Sequence, residues 1–237
     1  MKNDEVERIR SFLDSVQYKP DLFSVGFGED KVIFGALFKD QPELQRFFSY
    51  ATIYDSILDV DKKIKLSIIE ATRWADDIPF DEWHPLENPS NNEWRALYYT
   101  ENAAFRVEVL WDLMAQLFNL KENLGKPYDK IYAEQLFHDN QQGKKPNLFA
   151  KKVYDYMKQE DDFEVDPWRG NYSYIKGFRD KLTHRNSPNI SSVSDYATEL
   201  RMPSIYILYR LTEDYMQVSR FIQEILSEIT KDVEDMS

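Results

Sequence analysis

Cysteine is absent from this 237-residue chain, which excludes disulfides and thiolate-bound zinc and fits a reducing compartment. Glycine is scarce, at seven residues, and the β-branched residues are scattered rather than gathered in alternating runs; both facts favour helix over sheet. No apolar run approaches the roughly 20 residues that a bilayer span requires. The opening residues Met1-Lys2-Asn3-Asp4-Glu5 lead into a charged helix without an apolar region, so no secretory signal is read there. The expectation is a cytoplasmic protein with no membrane contact. Histidine is rarer still: His84, His138 and His184 are the three. His84 and His138 have no companion at metal-ligand spacing, and no HExxH is present, so neither a metal nor a cofactor is expected.

What is present can fill a core. Hydrophobic residues make up 42% of the chain and aromatics 15%. The charge is lopsided, with 42 acidic against 30 basic residues and a formal net charge of −12. A polyanion does not draw nucleic acid through its overall field, so any RNA contact must come from a local basic patch.

Hydrophobic spacing then divides the chain. Val6, Ile9, Leu13 and Val16 mark a surface helix over 2–16. Residues 22–38 read either as a hairpin turning at Gly28-Glu29-Asp30 or as a loop entering a helix from Asp30, and the second is preferred. Asp40, Pro42 and Glu43 start a helix that carries Leu44, Phe47, Ala51, Tyr54 and Leu58 to about residue 60. Asp61 is read as the cap of a separate next helix with Ile64, Ile68, Ala71 and Ala75 on its buried side. Pro79, Pro85 and Pro89 make 78–92 a loop.

The longest periodic segment is 93–123, with one apolar row through Tyr99, Ala103, Val107, Leu110, Met114 and Leu117 and another through Leu97, Ala104, Trp111 and Phe118. Two rows mean packing on more than one side, as at the centre of a bundle. Shorter helices are expected at 129–138 and 146–159, another at 171–184, and a long last helix at 203–231. The fold class is all-α: an antiparallel helical bundle built from 93–123, 171–184, 203–231 and one earlier helix. In domain terms, 1–90 is a helical extension containing a candidate first bundle helix at 41–77, and 91–237 is the bundle.

One constellation carries chemistry. Asp180 and His184 are four apart on one helix face, so the carboxylate can hold the imidazole and favour its charged form. Arg179 is five residues from His184, about 140° around the helix, yet its long side chain can swing to the helix end and meet the imidazole at a shared anion. An Arg and a titratable His converging on a phosphate suit cleavage of an RNA backbone: the His moves a proton, and the Arg neutralises developing charge. Arg169, Lys176 and Arg185 are the basic residues where an RNA backbone would lie. Glu101 and Glu108 interrupt the second row of the long helix, with Asn102 and Arg106 beside them. They read either as a polar wall beside the catalytic pair or as an ordinary buried ion network, and the second is preferred. Trp94, Tyr98, Tyr99, Phe105 and Trp111 are expected in the core rather than as a base-stacking platform.

The segment Arg179-Asp180-Lys181-Leu182-Thr183-His184 resembles the Arg-x4-His motif of the HEPN superfamily, in which Asn, Asp or His commonly follows the Arg. Residues 101–112 are similar to the helix that precedes the motif helix in several HEPN branches. The resemblance covers about residues 93–232, with an insertion at 129–159 that the most compact members lack. It implies a helical bundle that dimerises so that two motifs face one cleft. It also implies metal-independent RNA cleavage leaving a 2′,3′-cyclic phosphate, in settings that include toxin–antitoxin and anti-phage systems. Carried over by position, Arg179 and His184 are the catalytic pair and Asp180 the orienting residue. The rival reading is a catalytically inactive HEPN-like scaffold whose acidic surface engages a protein partner such as an antitoxin. A helical metal protein using Glu101, Glu108 and His184 is disfavoured because no paired ExxH is present.

Overall fold

Seven helices carry the part of the chain that the structure, a computed structural model, describes: residues 2–23, 26–27, 30–31, 42–75, 83–142, 145–162, 166, 168–184, 187–193 and 198–234. They are α1 (Lys2–Ser15), α2 (Pro42–Trp74), α3 (Asn91–Lys121), α4 (Ala133–Gln141), α5 (Leu148–Met157), α6 (Asn171–His184) and α7 (Ser204–Glu234). A 3-10 turn at Tyr128–Lys130 and two hairpins of two-residue strands, β1 (Gly26–Phe27) with β2 (Asp30–Lys31) and β3 (Ser192–Val193) with β4 (Thr198–Glu199), complete the described elements. The protein is all-α, and no described helix is long and apolar enough to cross a membrane.

The bundle consists of α2, α3, α6 and α7. Their directions follow from contacts at their ends. Arg46, near the start of α2, donates to the Leu120 and Lys121 carbonyls that end α3, at 3.1 and 2.8 Å. At the opposite end, the Arg95 guanidinium lies 4.4 Å from the Trp74 ring, so α2 and α3 run antiparallel. Glu108 of α3 pairs with Arg179 of α6, while Trp111 lies against Tyr172, which makes that pair antiparallel too. Glu93 meets Ser204, Trp111 meets Asp214 and Lys121 meets Glu228, so α3 and α7 run in the same direction, as alternate members of an up–down bundle do.

Both apolar rows of α3 are buried: Val107, Leu110, Met114 and Leu117 on one, Leu97, Ala104, Trp111 and Phe118 on the other. Ser90 caps the helix by accepting from the Glu93 N–H at 3.1 Å. The Glu93 carboxylate in turn accepts from the Ser204 N–H and hydroxyl, both at 2.6 Å, and so caps α7 across the fold. The core runs into the first ninety residues, with Ile9, Leu13, Ile57, Ile64 and Ile68 in the same buried cluster as Leu211, Val218 and Ile222 of α7.

Three expectations are corrected. The helices expected on either side of residue 60 are a single helix, α2, because Asp61 does not cap. It is buried mid-helix, accepts from the Tyr215 hydroxyl at 2.5 Å and pairs with Lys65 at 2.9 Å, so tertiary contacts satisfy the carboxylate that would otherwise favour a break. Asp30 begins a strand and not a helix, since Phe27 pairs with Asp30 and Gly26 with Lys31; residues 32–41 lie outside the described residues. Trp94, Tyr98 and Phe105 are not core: they are 61%, 51% and 38% exposed, whereas Trp111 is buried at 1%. Small residues Ala96, Thr100, Ala103 and Ala104 form the buried face at that end of α3, which turns the aromatic side outward.

Candidate functional site

On α6, Tyr172, Lys176 and Arg179 follow one another at i, i+4 and i+7 and share a face. Across from them α3 presents Glu108 and Asp112, also one turn apart. The third wall is Tyr132 with Glu134, Gln135 and His138 of α4, and Tyr154 of α5 comes in beside it. Together these residues enclose a polar cleft of about 590 Å3. The stretch 129–159 therefore builds one side of the cleft.

Arg179 is anchored rather than free. Its Nη1 pairs with Glu108 on α3, and its Nη2 and Nε donate to Asp180 Oδ1 at 2.6 and 3.2 Å. Burial pulls its pKa down, but the hydrogen bonds from its guanidinium to Asp180 and Glu108 outweigh this and raise it further. The half-buried guanidinium thus takes the nearby carboxylates of Glu108 and Asp180. Asp180 is taken up by the neighbouring Arg179. The side chain of His184 and all of Arg185 lie outside the described residues.

Lys176 and Lys158 both hold Glu134. Burial pushes the Glu134 carboxyl up, and the hydrogen bonds from the two ammonium groups more than offset it, leaving the pKa lowered. Asp112 is in the opposite condition. Its Oδ1 accepts from the Ala133 N–H at 3.2 Å, capping α4 from a neighbouring helix where Tyr132 provides no side-chain cap. Burial pushes its carboxyl up to about 6; the Ala133 bond opposes this, Glu108 adds to it, and Arg179 opposes it.

The other residues expected at the site lie elsewhere. Glu101 accepts from Asn189 Nδ2, and burial raises its pKa against that bond. Arg106 does not brace either glutamate: its Nη1 donates to the Asn102 carbonyl at 2.5 Å and reaches Asn102 Oδ1 at 3.3 Å. Asn102 itself donates to the Tyr98 carbonyl. Glu101, Asn102 and Arg106 do not line the cleft. Arg169 is exposed, and its carbonyl accepts from Arg210 Nη2 at 2.7 Å. His84 is exposed on its loop, and His138, on the cleft wall, has a ring nitrogen 2.8 Å from Gln142 Nε2.

Behind the cleft lies a buried carboxyl that the sequence reading missed. Asp214 of α7 is 1% exposed and accepts from Trp111 Nε1 at 3.2 Å and the Tyr156 hydroxyl at 2.9 Å. The signal was present: Asp214 stands directly beside Tyr215 within the apolar stripe of the last helix. Among the described residues no group of three His, Cys, Asp or Glu is placed to hold a metal ion.

The class that the fold defines is the all-α helical bundle, and the site within it is an ion-paired polar cleft. Comparison with family models, curated proteins and solved structures returned no match for this chain.

Proposed function

We propose that the chain is a HEPN-like, metal-independent endoribonuclease that cleaves RNA through Arg179 and His184 and works as a homodimer. The observation that carries this reading is the fixed Arg179 guanidinium on the wall of an open cleft, on the helix that His184 ends. Glu108, with a side chain 27% exposed, holds the guanidinium from the protein side. Asp180, at 47%, holds it from the solvent side. Asp180 is the more exposed of the two carboxylates, so it is the one whose place a phosphate takes. The planar fork suits a phosphodiester, and Lys176 lies one turn away. His184 moves a proton to or from the reacting oxygens, while Arg179 stabilises the charge that builds on the phosphorus oxygens.

A second reading, a non-catalytic scaffold that binds a protein partner such as an antitoxin, draws on a different observation. Arg179, Lys176 and Lys158 each already hold a carboxylate, and the chain carries a net charge of −12. That balance suits a basic protein surface better than RNA.

The two readings separate in a cleavage assay on total RNA in excess EDTA, run with wild type, Arg179→Ala and His184→Ala after each variant is shown to be folded. The ribonuclease reading expects cleavage by wild type and a loss of about 100-fold or more in each variant. No cleavage across varied RNAs supports the scaffold, and equal cleavage by all three proteins removes Arg179 and His184 from the chemistry.

A further inference from the structure

The cleft contains four acidic or imidazole groups besides the tyrosines, and their partners sort them. Glu108 is committed to Arg179. Glu134 is held by two lysines, and a carboxylate stabilised in its charged form is a weak base. His138 sits with a ring nitrogen 2.8 Å from Gln142 and its Nδ1 3.6 Å from Asp139. Asp112 has no cation at ion-pair distance among the described residues, and its Oδ1 is fixed by the first N–H of α4, which sets the direction of the carboxyl.

We infer that Asp112 is the group that accepts the proton of the substrate 2′-hydroxyl in this cleft, an assignment that rests on the ribonuclease reading. In the step, the 2′-oxygen forms its bond to phosphorus as its proton passes to the Asp112 carboxylate. The bond from phosphorus to the 5′-oxygen breaks, and the His184 imidazolium gives that oxygen a proton. The products are a 2′,3′-cyclic phosphate and a 5′-hydroxyl; exchange with water resets both groups, and no further reactant is consumed. Arg179 supplies the charge for the phosphorus oxygens throughout.

The environment agrees with this work. Glu108 from the same helix acts to keep Asp112 protonated, and Arg179 from α6 acts against it. Lys176 of α6 and Lys158 at the end of α5 both engage Glu134 of α4, with His138, Tyr154 and Tyr172 completing the surroundings. A base that takes up and releases protons just below neutrality matches its task better than an ordinary surface aspartate.

Asp112→Asn tests the assignment cleanly, because the amide oxygen can still accept from the Ala133 N–H and keep the start of α4 while the base is lost. Cleavage of a defined RNA oligonucleotide is followed in EDTA from pH 4.5 to 8.5 with wild type, Asp112→Asn, Asp112→Glu and Arg179→Ala. The expected result is a wild-type rate that rises through about pH 6. Asp112→Asn should fall about 100-fold or more in kcat and lose that rise, with KM changed little. Asp112→Glu, which keeps a carboxyl, should retain the rise at a shifted pH. If Asp112→Asn cleaves at the wild-type rate, or keeps the rise unaltered while Arg179→Ala is inactive, the Asp112 assignment falls and the ribonuclease reading stands. If wild type does not cleave, both fall.

Discussion

Asp214→Asn should make the protein more stable at pH 8 and leave it almost unchanged at pH 4. Asp214 is buried, and among the described residues no cation reaches it; Arg210, one turn earlier on α7, is held by Asp161 instead. Burial pushes its carboxyl up to about 7 from the usual 3.8, the Trp111 and Tyr156 bonds oppose this, Glu108 adds to it, and Arg210 opposes it at a distance. The folded state therefore binds this proton more tightly than the unfolded chain. The stability it contributes is fully present below about pH 4 and is lost as pH rises through the folded value near 7. A gap of about 3 pH units, at about 1.4 kcal/mol each, sets a ceiling of about 4 kcal/mol on the loss. Asparagine fits the same space. Its carbonyl accepts from Trp111 Nε1 and its amide donates to the Tyr156 oxygen, which turns from donor to acceptor, so both neighbours keep a hydrogen bond to residue 214. Urea unfolding at pH 4, 6 and 8 measures the difference. The reasoning expects the gap between variant and wild type to grow with pH towards that ceiling. Parallel pH curves, or a variant that loses more than wild type on going to pH 8, would refute it.

Two glycines should respond to alanine in opposite directions. Gly170 has φ +75°, and a Cβ there would lie 2.8 Å from the Asp161 nitrogen and 2.9 Å from the Glu160 carbonyl carbon, so Gly170→Ala should cost about 1–3 kcal/mol in thermal or urea unfolding. A Cβ at Gly177, inside α6, meets nothing within 4 Å, and Gly177→Ala should add about 0.5–1 kcal/mol. Arg210→Lys should cost about 3 kcal/mol and speed hydrogen exchange at the start of α6. The buried guanidinium serves Asp161, Asn171 at 2.8 Å, Tyr206 at 3.2 Å and the Arg169 carbonyl at 2.7 Å, a set that one ammonium cannot cover. Unchanged exchange there would show that Arg210 does not organise that corner.

The bundle was legible because its signals are periodic. The two rows of α3 announced a helix packed on several sides, and 171–184 coincides with α6 residue for residue. What periodicity could not settle was how polar side chains inside a helix are satisfied. Asp61 carries the local signature of a cap, and only the distant Tyr215 hydroxyl explains why α2 runs through it. The exposed Trp94 and Tyr98 misled for a related reason: aromatic character says that a side chain can be buried, and the small residues beside it decide whether it is. At the site, Arg179, Lys176 and Glu108 were identified in sequence and line one cleft. Asp112 and Glu134 were missed because their roles depend on where α4 docks, and no local pattern in the chain encodes that contact.

The most direct test of the central claim is to identify the ends left on RNA incubated with the protein in EDTA. The account predicts 2′,3′-cyclic phosphate and 5′-hydroxyl termini that appear with wild type and disappear with Arg179→Ala. Intact RNA with wild type, or the same termini at the same rate with Arg179→Ala, would contradict it.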